Sequence, residues 1–252
     1  MEWPIHAFAN SLFPNLPPSK LIEEPSSEGY IPTLSNEDPV WHIFVEGKER
    51  NLKHQIRVLG SIVGLNRPAS KPVNPLKLID RKTLSDTVTF DESKGPVMIE
   101  LGAIIEPSTH FIGPCFVGKG ATIRHGAYIR ENAWICSSAL VGHCSEVKHS
   151  ILLPGAKAPH FNYVGDSILG KAVNLGAGVK LSNLRNDGAE VFLRIGDARR
   201  PSGLRKFGAI LGEGCQLGCN AVTNPGTILG PNSTVWPNVT VTGVHGENSN
   251  HR

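Results

Sequence analysis

The sequence predicts an all-β fold in which short parallel strands coil into a triangular prism. Three observations predict it. From Ile99 onward every sixth residue is apolar: Ile99, Ile105, Phe111, Val117, Ile123, Ile129, Ile135, Val141, Val147 and Leu153. Four places after each of the first eight the side chain is small, from Ala103, Thr109, Cys115 and Ala121 through Ala127, Ala133, Ala139 and Ser145; Ile151 breaks this second register. The composition is rich in turn residues, 27 Gly and 19 Pro, and only 6% aromatic, which suits a β architecture and not a helical bundle.

With 40% apolar residues overall, ten matches in a row arise by chance about once in ten thousand. A period of six is neither the 3.6 of a helix nor the 2 of a plain strand. It fits a short strand plus a tight corner, repeated, which is the hexapeptide signature of a parallel β-helix. Three hexads make one coil of 18 residues. The large aliphatic fills the interior, the small residue fits the corner, and coils stack at about 4.8 Å. The pairs Val117-Gly118, Val141-Gly142, Leu169-Gly170 and Leu211-Gly212 are those of left-handed prisms. The hand follows from the family of such sequences and not from the period.

Taken in order, residues 1–85 carry no hexads and form an N-terminal extension. Residues 36–60 mix charged and apolar positions at helical spacing and predict a helix. The extension is expected to cap the first coil, because an open solenoid end exposes a strand edge. The Pro-rich segments 14–34 and 68–75 read as extended linkers. Residues 86–245 form the prism. After Leu153 the repeat continues at Tyr163, Leu169, Leu175 and Leu181, a first step of ten, so 154–162 read as a small loop carrying His160. A second excursion covers about 184–206. The repeat resumes at Leu211, Leu217, Thr223, Leu229, Val235 and Val241, in register with Leu181. Residues 246–252 are expected to be a flexible tail.

The bulk numbers exclude several functions. A net charge of +3 from 25 basic and 22 acidic residues is too weak a bias for nucleic acid or an anionic membrane. No apolar run approaches the roughly 18–20 residues of a membrane span. The N-terminus has an early acid and no basic stretch, so no secretory signal is expected. Five cysteines, odd in number and without a CxxC pair, point to free thiols in a reducing cytoplasm.

Residues 18 apart lie on one face, one coil above the other. Arg130 and Lys148 are such a pair, each directly after an inward aliphatic. Either an anion such as phosphate sits between the two cations, or they relax apart in water. His125 and His143 are also 18 apart, but His149 falls on another face, so a third zinc ligand is lacking and no metal is expected. His160 stands between Pro159, which stiffens the chain, and Tyr163. Glu146, one coil below, either orients that imidazole or pairs with Lys148 at the surface.

The segment 160-HFNYVGDSILGKAVNLGAGVKLSNLRNDG-188 resembles the acetyltransferase domain of the bifunctional N-acetylglucosamine-1-phosphate uridyltransferases, and more so that of archaeal sugar-1-phosphate nucleotidyltransferases. The carrying elements are H-x2-Y-x-G-D and V-N-[IL]-G-A-G, and the resemblance covers about residues 97–243. The family's nucleotidyltransferase domain has no counterpart in 1–85, so uridyl transfer is not expected. The resemblance implies that His160 is the catalytic base and that Arg130 and Lys148 hold the substrate phosphate. It assigns the sugar to Tyr163, Asn174 and Lys206, and acetyl-CoA to Ala177, Asn183 and Cys219. Leu184 stands where the family has a tyrosine, and the family's basic C-terminal tail has no match. Arg194, Arg199, Arg200 and Arg205 of the second excursion are candidate substitutes. The implied activity is acetyl transfer from acetyl-CoA to the amine of a hexosamine-1-phosphate, in nucleotide-sugar biosynthesis, by a cytoplasmic homotrimer and without a metal. Two alternatives stay open: a non-catalytic relative that binds a sugar phosphate or a partner protein, and an acyltransferase with another acceptor.

Overall fold

The computed structural model describes residues 3–17, 25–48, 50–62 and 76–252. The linker reading of 68–75 lies outside the described residues. The prism is present. Three sheets of eight strands form its faces, and sequential strands pass from one face to the next. All neighbours within a face are parallel, and the chain is a left-handed parallel β-helix. The first face runs from Thr89–Asp91 to Thr240–Val241, the second from Val97–Ile99 to Val244–His245, and the third from Ile104–Ile105 to Asn250–His251.

The hexads explain the interior. Phe111, Ile129, Val147, Val164 and Leu181 stack up the first face in register. All are fully buried, worth about 1.5–3 kcal/mol each in apolar area. Corners turn through residues with positive φ, three places after the inward residue: Ser108, Asn132, Ser138, Asn220, Asn232 and Asn238, or glycine. Asn and Gly enter this region at low cost.

Two corners are one residue short. At His149 (φ 46°) and Asp166 (φ 48°) the turning residue comes two places after Val147 and Val164 instead of three. Leu152, not Leu153, is therefore the next interior residue and pairs with Ile135. Val164, not Tyr163, resumes the first face, and Leu153 packs outside the prism. The expected loop at 154–162 does not exist. Lys157–His160 is a strand of the third face with Ala158 pointing inward beside Val141. From Val147 the interior steps are five, six, six and five residues, to Leu152, Ala158, Val164 and Leu169, in place of the expected six, ten and six.

The second excursion leaves after Leu181 and carries an antiparallel hairpin, Phe192–Ile195 with Ala198–Pro201. The prism resumes at Leu211, aligned with Leu169. The end of the chain is not a flexible tail: Asn250–His251 pairs with Thr234–Val235, and Arg252 lies over Trp236 at 4.8 Å. The third face needs this strand to continue as far as the other two.

The extension does more than cap. Ile79, Leu84, Val88 and Phe90 close the first coil. Residues upstream lie along the second face, whose outward side is apolar in Met98, Phe116, Trp134, Ile151, Ile168, Ile210 and Ile228. Tyr30, Ile31, Trp41, Phe44, Leu52, Ile56 and Leu59 bury it. Residues 25–34 are thus packed and not a linker; the Tyr30 carbonyl accepts from Trp134 Nε1 at 3.1 Å. The helix expected over 36–60 is two pieces, a 3-10 turn Val40–Phe44 and α-helix Leu52–Ile62. Gly47, at φ 82°, separates them. The extension therefore covers the second face, while His160, Arg130, Lys148, Tyr163 and Asn174 sit on the first and third.

Candidate active site

The edge between the third and first faces is built from stacked corners. His160 ends its strand opposite His143 and is exposed. Just before it, the Pro159 carbonyl lies against Gly142, where a Cβ would stand 1.6 Å from the oxygen. The His160 N–H donates to Asn162 Oδ1 at 3.0 Å, and Asn162 Nδ2 donates to the Gly176 carbonyl at 2.8 Å. The His160 carbonyl accepts from the Gly178 N–H at 2.9 Å. Gly178 needs its φ of 74°, and a Cβ there would meet Asn220 Oδ1 at 2.4 Å. Above it the Ala177 carbonyl accepts from Asn220 N–H at 2.8 Å, and the Cys219 carbonyl from Asn238 N–H at 2.9 Å.

His160, Ala177 and Cys219 thus climb one edge in successive coils. Within the turn, the Gly176 N–H is taken by Leu217 and the Gly178 N–H by His160. Among the described residues the Ala177 N–H has no hydrogen-bond acceptor. Asn174 lies on the third face, between Lys157 and Gln216 in register. Buried Asn162 was not singled out from sequence. Its signal is a polar residue two places before an interior Val164, where the repeat calls for a small one.

The first face carries the cations. Arg130 and Lys148 follow aligned Ile129 and Val147, so they are neighbours one coil apart as the 18-residue rule requires. Each turns to a carboxylate. Arg130 Nη1 donates to Glu146 Oε1 at 2.8 Å, and Lys148 Nζ lies 3.8 Å from Asp166 Oδ2. Among the described residues the side-chain partner of Glu146 is therefore Arg130, neither His160 nor Lys148. Burial alone would lower the Arg130 pKa, but the hydrogen bond to Glu146 and the charge of Glu131 outweigh it and hold it above the ordinary value.

Asp166 is buried. It accepts from His149 Nδ1 at 2.8 Å and from Asn183 Nδ2. Burial would raise its pKa, but these partners and the Lys148 charge outweigh it, and the carboxyl sits below the usual carboxylate range. Tyr163 begins its strand between Glu146 and Lys180. Burial, with the charges of Glu146 and Asp166, pushes its phenol up. Gly165 makes room for it: a Cβ there would meet the Tyr163 hydroxyl at 2.6 Å and Asn183 Nδ2 at 2.8 Å. Asn183 accordingly belongs with the cation cluster and not beside Ala177 and Cys219.

A cavity of about 720 Å³ opens next to this cluster. Lys148, His149 and Asp166 line it from the prism, Arg205 and Lys206 from the second excursion, and Phe44 to Glu46 with Lys53 from the extension. The Phe44 ring stands edge-on to His149 at 5.2 Å. Sequence reasoning missed this wall, since nothing in residues 1–85 marks which face they cover. On the lower coils His125 and His143 stack at 5.5 Å, and no group of three His, Cys, Asp or Glu suited to a metal occurs among the described residues.

Residues 111–245 match the family model described as the GMPPB C-terminal domain. The chain is 38% identical over 178 residues to a bifunctional sugar-1-phosphate nucleotidylyltransferase/acetyltransferase of Sulfurisphaera tokodaii, covering 66% of this chain and 44% of that one. It is 30% identical over 158 residues to the uncharacterized acetyltransferase YaiX of Escherichia coli, covering 63% of this chain and 69% of that one. Among solved structures, a mutant GDP-perosamine N-acetyl transferase from Caulobacter crescentus, in complex with CoA and GDP-perosamine, overlaps 58% of this chain and 51% of its own at 16% identity and a TM-score of 0.34. The chain spans less than half the length of the Sulfurisphaera relative.

Proposed function

Since the chain belongs to the GMPPB C-terminal domain family, and since relatives similar to it carry acetyltransferase in their names, we propose that it transfers an acetyl group from acetyl-CoA to the amine of a hexosamine-1-phosphate. The observation that carries the reading is the bond between His160 and the 176–178 turn. It sets an exposed imidazole one coil from an unused amide at Ala177. A base and an oxyanion donor on adjacent rungs are what acyl transfer to an amine requires.

In this reading the His160 imidazole takes the proton of the acceptor amine. The amine nitrogen attacks the thioester carbon, and the new oxyanion is met by the Ala177 N–H. The C–S bond then breaks, the amide remains on the sugar, and the imidazolium returns its proton to the CoA thiolate. No oxidant or metal enters the balance. Arg130 and Lys148 hold the 1-phosphate, with Tyr163, Asn174 and Lys206 around the sugar, which fixes the amine for attack. Glu146 acts through Arg130, whose guanidinium it holds. Cys219 continues the CoA edge above Ala177, and Asn183 supports Asp166 and Tyr163. We propose, as the resemblance implies, that the protein is a cytoplasmic homotrimer with this site between its subunits. Among the described residues no helix is long and apolar enough to cross a membrane.

A non-catalytic sugar-phosphate-binding protein is the second reading. The His160→Ala variant separates the two. Loss of turnover with acceptor binding intact supports catalysis; an unchanged rate removes His160 as the base.

A further inference from the structure

The second excursion builds a second cavity, whose Arg194 and Arg199 are among the candidate substitutes for the family's basic tail. It measures about 380 Å³ and lies between the hairpin and the upper coils of the first face. Three guanidiniums, Arg185, Arg194 and Arg199, line it against one carboxylate, Asp187. Asp187 is spent on Arg185, accepting from its Nε at 2.8 Å. Arg194 and Arg199 stand directly opposite each other across the hairpin. Like charges in that position destabilise an antiparallel pair, and neither has a carboxylate within 4.0 Å among the described residues.

Phe192 shares their side of the hairpin, two residues before Arg194. The Arg199 guanidinium lies 5.6 Å from its ring centre and that of Arg185 6.0 Å. The opposite side, Val191 and Leu193, is fully buried in the outer core. Gly226 lets it pack closely, since a Cβ there would meet Val191 Cγ1 at 2.8 Å. The hairpin is therefore held in place by its apolar side while it presents an aromatic ring and two uncompensated arginines to a cavity. The floor is polar: Asn224 Nδ2 donates to Thr242 Oγ1, with Ser182 one coil below.

We infer that this cavity is a binding site for a nucleoside phosphate. The guanidiniums pair with the phosphate, often bidentately. A base stacks on Phe192 and the arginine planes, and the hydroxyl and amide floor meets a ribose. The volume suits one nucleotide and is small for anything much larger. The inference does not depend on acetyl transfer. The nucleotide end of CoA carries this chemistry, and so does a free nucleotide or a nucleotide sugar.

The test is calorimetric titration of the full chain with adenosine bisphosphate, CoA, UDP and inorganic phosphate. It is repeated on Phe192→Ala and on the exposed pair Arg194→Ala with Arg199→Ala, folding being checked by circular dichroism. At least one nucleoside phosphate should bind tenfold or more tightly than inorganic phosphate, and each variant should weaken it about tenfold. If CoA and adenosine bisphosphate weaken in parallel, the ligand is the nucleotide end of CoA. If UDP weakens and CoA does not, it is a free nucleotide or nucleotide sugar. Nucleotide affinity no better than that of inorganic phosphate, or unchanged in the folded double-arginine variant, overturns the inference.

Discussion

The carbonyl of His160 accepts a 2.9 Å hydrogen bond from the amide of Gly178, one coil above. The exposed imidazole and the turn bearing the unused Ala177 amide are thus tied through main chain, on strands whose register the hydrophobic interior fixes. The buried Asn162 side chain bridges the same two segments, from the His160 amide to the Gly176 carbonyl.

Gly142 is the contact that seats the His160 strand. Adding a methyl group at Gly142→Ala drives it into the Pro159 carbonyl, and the strands must part. The expected cost is about 3 kcal/mol, the upper end of overpacking, with a larger loss of turnover than Gly155→Ala, where a Cβ meets nothing within 4 Å and the φ of 73° alone costs about 1 kcal/mol. Urea denaturation and initial rates on both variants check this.

Asp166 organises the cation cluster. Asp166→Asn leaves Lys148 and His149 without their buried counter-charge and is expected to cost about 3 kcal/mol near neutrality. The folded pKa lies below the unfolded value of about 3.9, so the unfolded chain binds the proton first as pH falls. The contribution is complete above that value and is lost as pH drops through the folded one. The stability gap between wild type and variant should close below about pH 4. A gap that stays constant from pH 7 to pH 3 would show that the carboxylate charge is not what matters.

Arg130 and Lys148 are proposed to hold the acceptor phosphate. Lys148→Ala should raise KM for a hexosamine-1-phosphate about tenfold or more, the scale of one charge-assisted hydrogen bond. KM for acetyl-CoA should move little. Steady-state kinetics in both substrates distinguish this from a general loss of fold, which would lower kcat for any acceptor.

Thr223 tests the interior register. It occupies an inward position aligned with Leu181 and Val241, fully buried, and its hydroxyl has no partner among the described residues. Thr223→Val removes an unsatisfied group at constant shape and should stabilise the protein by about 1 kcal/mol. Thermal unfolding reads it directly.

Much of this fold was legible because the interior demands one apolar residue per rung, from Ile99 to Val147 without a gap. It became illegible where corners lose a residue. At Val147–Leu152 and Val164–Leu169 the chain saves one residue by turning at His149 and Asp166, and the hexad count slips by two in all. Those corners are also where the site is built: turning early is what lets His149 and Asp166 meet at 2.8 Å. The Arg130 and Lys148 pairing was readable from spacing alone, since stacking is periodic. Their carboxylate partners were not, because Arg130 reaches Glu146 diagonally and Asp166 lies on a shortened coil. The side of the prism covered by Trp41 and Phe44 was unreadable, as an aperiodic segment carries no register.

The most direct test is release of free CoA thiol from acetyl-CoA, with glucosamine-1-phosphate or galactosamine-1-phosphate as acceptor. Thiol release should depend on the acceptor and fall by about two to four orders of magnitude in His160→Ala. No acceptor-dependent release from folded protein with either sugar phosphate would contradict it.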